Sequence, residues 1–125
     1  MTNVTDAQEY GFSDAVKASG LLFCSGQIGV EADGAIPADP RRQFELAFKA
    51  LERVLNAQGC KAADIVDLTS FHVDYPNHMD IFMEEKSRFL GRACPAWTAI
   101  GVARLGYPQS LVEIKAIART KDREA

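Results

Sequence analysis

The chain has 125 residues, 47% of them hydrophobic and 25% charged, which is the size and composition of one globular domain spanning residues 1–125. That length suffices for a core without disulfides or a metal. A formal charge of −3 argues against a sequence-independent grip on nucleic acid, which is built from clustered Lys and Arg. Cys24, Cys60 and Cys94 are an odd number with no C-x-x-C, so they suggest neither a disulfide framework nor a zinc site and fit a reducing compartment. Met1–Tyr10 is polar and acidic and no long apolar run follows, so neither a signal peptide nor a membrane span is predicted and a cytoplasmic protein is expected.

Period-2 and period-3.6 segments alternate along the chain, the sign of a sheet covered by helices, between ends expected to be flexible at Met1–Ala7 and Lys121–Ala125. Ser13–Ala18 and Gly20–Ile28 read as two strands of a hairpin, followed by a Gly/Asp/Pro-rich loop through Asp39. Asp39 can cap a helix and Pro40 suits its first position, with Phe44, Ala47, Phe48, Leu51, Val54 and Leu55 on one stripe and Gly59 at its end. Ile65–Asp74 reads as a strand with Thr69, Phe71 and Val73 on one side and Leu68, Ser70 and His72 on the other. Asn77 is the expected cap of a second helix with Asp80 in its first turn and Met79, Phe82, Met83, Phe89 and Leu90 as its apolar stripe, closed by Gly91. The strands Ala96–Val102 and Leu111–Arg119 remain, separated by a turn containing Gly106-Tyr107-Pro108, and the order is β-β-α-β-α-β-β.

In the last strand, Val112, Ile114, Ala116 and Ala118 make a face suited to packing under helices, and Leu111, Glu113, Lys115 and Ile117 a mixed one. Both helices are therefore placed on one side. The opposite face is expected to be bare, to carry Leu68, Leu111, Ile117 and Trp97, and to pack against other subunits of a homo-oligomer.

Four segments stand in a recognisable order: Ser25-Gly26-Gln27-Ile28-Gly29, Asp64-Ile65-Val66-Asp67-Leu68-Thr69-Ser70-Phe71, Pro95-Ala96-Trp97-Thr98, and Leu111-Val112-Glu113-Ile114-Lys115-Ala116-Ile117-Ala118. With these the chain resembles the reactive intermediate deaminase (RidA/YjgF) family from about Gly11 to Arg119. The resemblance implies an α+β, chorismate-mutase-like fold and a homotrimer with three clefts between subunits. It also implies hydrolysis of enamines and imines to a keto acid and ammonia, with no metal or other cofactor. In well-characterised members the residue after Pro-Ala is an arginine that clamps the substrate carboxylate; here it is Trp97, whose indole has one N–H donor and no charge. Arg104, seven residues downstream, is no simple substitute. The pattern is similar to an arginine-lacking branch of the family, with which it shares Phe71-His72, Trp97-Thr98 and Glu113-Ile114-Lys115.

By the same resemblance Glu113 matches the glutamate thought to orient or activate the attacking water, with an interface ion pair to Lys115 of another chain as its other reading. Trp97 offers a flat face for a planar ligand, or else a plug that fills the cleft. The Thr98 and Ala99 amides correspond to a cradle for an anion or carbonyl oxygen. Gly26 corresponds to a pocket glycine, or marks a bulge, and Phe12 replaces a cleft-closing tyrosine without its hydroxyl. His72 lies outside the deaminase pattern; Asp74, two residues on, would share its strand face and could make it a base, whereas most lone strand histidines are packing or surface residues, as His78, at the first turn of a helix, is also expected to be. Nothing in the spacing pairs Cys94 with His72 as nucleophile and base.

Three functions follow. The first is a C=N or enamine hydrolase acting on a planar metabolite other than a simple 2-imino acid. The second is a metabolite-binding trimer without turnover, its pocket defined by Trp97 and Phe12. The third, endoribonuclease, is a name the family sometimes carries, and the acidic balance and lack of a basic, aromatic-interleaved strip weigh against it.

Overall fold

The computed structural model describes residues 10–121. The expected flexible end Met1–Ala7 lies outside them, as do all but the first residue of Lys121–Ala125. Five strands and two long helices follow in the order β1 (Ala15–Ala18), β2 (Leu21–Gln27), α1 (Pro40–Ala57), β3 (Ile65–Val73), α2 (Met79–Leu90), β4 (Ala96–Val102) and β5 (Val112–Arg119), with a single 3-10 turn at Ala62–Asp64 before β3. They form one mixed sheet in the order β1-β2-β5-β3-β4, antiparallel except for the β3–β4 pair, so β4 is an edge strand. The described helices and sheet have the α+β fold expected.

Local chemistry explains α1 well. The Asp39 carboxylate accepts from the Arg42 N–H at 3.1 Å and Pro40 opens the helix. Phe44, Ala47, Phe48, Leu51 and Leu55 are buried against Leu22, Leu68, Val112, Ile114, Ala116 and Ala118 of the sheet. Phe82 of α2 joins them edge-on to Phe44 at a centroid distance of 5.5 Å. Gln43 on α1 is buried and spends its amide on three loop groups: Nε2 donates to the Pro37 and Gln109 carbonyls and Oε1 accepts from Leu111 N–H, each at 2.9 Å.

The second helix departs from expectation at its start and on its stripe. Asn77 does not cap it: its amide donates to Asp74 Oδ2 at 2.8 Å within the turn, and the N-cap is His78, held at φ 68° with no side-chain cap bond. Met83 is 47% exposed, and Glu85 is buried along with Phe82 and Leu90, paired with Arg41 at 2.8 Å and with Arg88.

The bare face also differs in detail. Leu68 pairs with Ala116 and Trp97 pairs with Leu68, so both point to the helix side, and Leu111 packs on the core as well. Alternation separates a strand's two faces, but only register against β5 says which face lies under the helices. Ile117 keeps its expected place on the open face, in one row with the exposed Phe23 and Val16.

Candidate functional site

The sequence-derived site residues fall into two groups on opposite faces of the sheet. On the open face, β2 carries a bulge: Cys24 pairs with Ala116 and Gln27 with Ile114, leaving Ser25 and Gly26 opposite Lys115 alone. Gly26 leaves the space into which Glu113 folds. A Cβ on Gly26 would overlap Glu113 Oε2 and stand 2.6 Å from its Cδ. The glycine is thus both the bulge and the seat of the carboxylate. Burial pushes the Glu113 carboxyl above its ordinary range, opposed by the positive charge of Lys115. The chain just after Phe12 is tied to the bulge, because the Ser13 carbonyl accepts a hydrogen bond from Ser25 Oγ at 2.6 Å and the Asp14 carbonyl one from Ser25 N–H at 2.8 Å; Phe12 itself is 42% exposed.

The second group lies along β3 and β4, where His72, Ser70, Trp97 and Ala99 face the helices and Thr98 faces the other way. The Trp97 indole N–H donates to Ser70 Oγ at 3.0 Å, and that hydroxyl is 2.7 Å from His72 Nε2. Because the oxygen accepts from the indole, its own hydrogen can serve a lone pair on Nε2, which fits a neutral imidazole protonated at Nδ1. Burial lowers the His72 pKa to about 4. The ring is 2% exposed and stands edge-on to Phe82 at 4.6 Å. Trp97 lies nearly parallel to Phe82 at 6.2 Å, and Lys86 Nζ sits over its ring, 4.0 Å from the centroid. Thr98 is exposed and Ala99 half-buried on the same edge strand, which leaves alternate backbone N–H groups without a ladder partner.

His72 does not pair with Asp74. The strand ends at Val73 and Asp74 turns away at φ 64° to meet Asn77, so the partner of the imidazole is Ser70, two residues earlier. Cys94 is exposed while His72 is buried, so the two are not brought together. Ser70 and Lys86 were missed by sequence reasoning. Ser70 was legible as a same-face neighbour of His72 on β3; Lys86 had only its helical spacing from Phe82, one turn away. Among the described residues no cluster of three His, Cys, Asp or Glu could hold a metal ion, and no helix is long and apolar enough to cross a membrane.

Two outcomes follow from this network. Ser70→Ala strands the indole N–H and removes the hydroxyl partner of His72, so a loss of about 1–3 kcal/mol in urea unfolding is expected, with a shift in emission of Trp97, the single tryptophan. The unfolded chain binds a proton at His72 near the ordinary imidazole value and the folded chain only near 4. The stability contributed by this residue is therefore fully present above that ordinary value and falls as pH drops towards 4, a slope that Tm against pH measures and His72→Gln removes.

The family described as Endoribonuclease L-PSP has a model that matches residues 4–120, and the chain belongs to this RidA/YjgF family. It is 42% identical over 113 residues to the RutC family protein YjgH of Escherichia coli, a match covering 89% of this chain and 84% of that protein. A solved structure of protein YjgH is similar with a TM-score of 0.81 at 40% identity, covering 90% of this chain and 86% of that one. The 2-iminobutanoate/2-iminopropanoate deaminase of Dermatophagoides farinae is 31% identical, over 85% of this chain and 83% of its own. The crystal structure of Escherichia coli TdcF with bound serine reaches a TM-score of 0.81 at 31% identity, covering 88% of each chain.

Proposed function

We propose that the protein is a cofactor-free imine or enamine hydrolase whose site is assembled between copies of the chain. The observation that carries the reading is Glu113: a half-buried carboxylate of raised pKa, seated over a glycine on a sheet face that neither of the two described helices covers. An ionised carboxylate of that kind takes a proton from water as the water adds to the carbon of a C=N bond. The protonated Glu113 returns that proton to nitrogen, completing the carbinolamine; the C–N bond then breaks, and ammonia leaves with the hydroxyl proton as the carbonyl forms. Relatives bearing deaminase names support the reaction class.

The sheet lies between Glu113 and Trp97, so one chain cannot place both against one small substrate. The proposed cleft takes Phe12, Gly26 and Glu113 from one subunit and Trp97, Thr98 and Ala99 from its neighbour in a homotrimer. The uncovered row of Val16, Phe23 and Ile117 supports that assembly. Trp97 has no arginine fork, which favours a planar, conjugated substrate over a simple 2-imino acid.

The test is ammonia release by the purified protein across alkyl and aromatic imines and enamines, together with its mass in solution. A monomer, or no ammonia from any of them, overturns the proposal. Saturable binding without product favours the second reading, a metabolite-binding protein, which the internal use of the indole N–H supports. RNA cleavage that survives further purification and is lost in Glu113→Gln would favour the endoribonuclease reading.

A further inference from the structure

The arginines at the start of α1 and near the end of α2 are matched to acid: Arg41 reaches across to Glu84 and Glu85 of α2, Arg42 pairs with Glu31 and Glu45, and Arg88 with Glu85. Lys86 follows Glu84 and Glu85 directly in sequence and yet, among the described residues, its ammonium has no carboxylate at ion-pair distance; it rests on the face of Trp97. The ring on which it rests has no donor to offer, because its N–H is spent on Ser70. Lys86 is half-buried, and β4 beneath it is an edge strand with outward amides. A cation is thus held over an aromatic wall, at the rim of an unpaired strand, with its N–H donors unmatched by acid.

We propose that Lys86 is the anion-binding residue of this side of the cleft, and that it receives the carboxylate of a planar, conjugated or aromatic acid lying along the Trp97–Ala99 edge. This rests on the cleft described above and deepens it by naming the substrate class. An ammonium is a point charge rather than a fork, so it meets a carboxylate without fixing its plane, and the orientation comes from the aromatic wall.

The single tryptophan makes the site directly observable. The probes are benzoate and its uncharged counterpart benzamide, followed by Trp97 emission with excitation at the red edge of indole absorption and with inorganic phosphate as a control anion. Benzoate is expected to give a saturable change at least about tenfold tighter than benzamide, weakened as salt is raised. Lys86→Met should remove that preference about tenfold or more while benzamide binding holds, and Lys86→Arg should restore it. A merely structural role for Lys86 would instead alter both probes together with Tm and would not be rescued by charge. Benzoate binding unchanged in Lys86→Met, no saturable change in the parent protein, or phosphate binding tighter than benzoate each overturns the assignment. Ammonia release is read separately: benzoate binding through Lys86 with no turnover of any imine defeats the hydrolase reading alone, and turnover without the benzoate preference defeats this one alone.

Discussion

Glu113→Gln is expected to lower ammonia release about a hundredfold or more, the usual worth of a positioned general base, while the protein stays folded. The amide has nearly the volume of the carboxyl and fits the space over Gly26, but it cannot accept a proton from water. Its effect on stability has the opposite sign. Burial raises the Glu113 pKa, so folding favours the protonated form. The stabilising contribution is complete below the ordinary carboxylate value and is lost as pH rises through the raised one. At neutral pH the ionised carboxylate is therefore a cost, and Glu113→Gln should hold or raise Tm. Activity needs the ionised form, so the acid limb of kcat/KM should stand above the ordinary carboxylate range. Lys115→Met removes the charge that opposes burial and should move that limb further up. A limb that stays put in Lys115→Met, or activity retained in Glu113→Gln, would sink the role assigned to Glu113.

Gly26→Ala should silence the protein almost as completely, although Glu113 is still present. The new methyl would occupy the position of Oε2 and press on Cδ and Cγ, the latter at 2.7 Å. Those atoms are the end of a flexible side chain, so the carboxylate can swing aside, and the expected loss of stability is small, about 1 kcal/mol. The loss of activity is expected to be large, since a general base displaced by an ångström or more no longer reaches its water. The double variant Gly26→Ala/Glu113→Ala should recover the stability lost in Gly26→Ala, because the two positions share one space and their effects do not add. Urea unfolding of the three variants measures the coupling, and strict additivity would mean that the carboxylate does not occupy that seat.

Much of the fold was legible because its signals are local. Asp39 and Pro40 mark the start of α1, and β4 runs from Ala96 to Val102 as its alternation indicates. The signals that failed were overridden by a neighbouring turn or depend on partners distant in sequence. Asn77 has the chemistry of a cap, but the turn at Asp74 takes its amide first. His72 and Asp74 share a face only if the strand continues, and it ends at Val73. The side to which Trp97 points was set by its register beside Leu68, which no pattern within β4 reveals. Of the candidate site, Glu113 and Gly26 were found as separate residues, and their contact came only with the bulge in β2. Lys86 carried only its one-turn spacing from Phe82, because a lysine beside two glutamates on a helix looks like any solvated cation.

The placement of Glu113 and Trp97 on opposite sides of one sheet has a genetic corollary. Two defective alleles, one altered at Glu113 and the other at Lys86 or Trp97, should complement one another when co-expressed. In randomly mixed assemblies about a quarter of the crevices would draw an intact half from each parent. Activity rescued by blending two dead proteins would be the signature of a catalyst that no single polypeptide encloses.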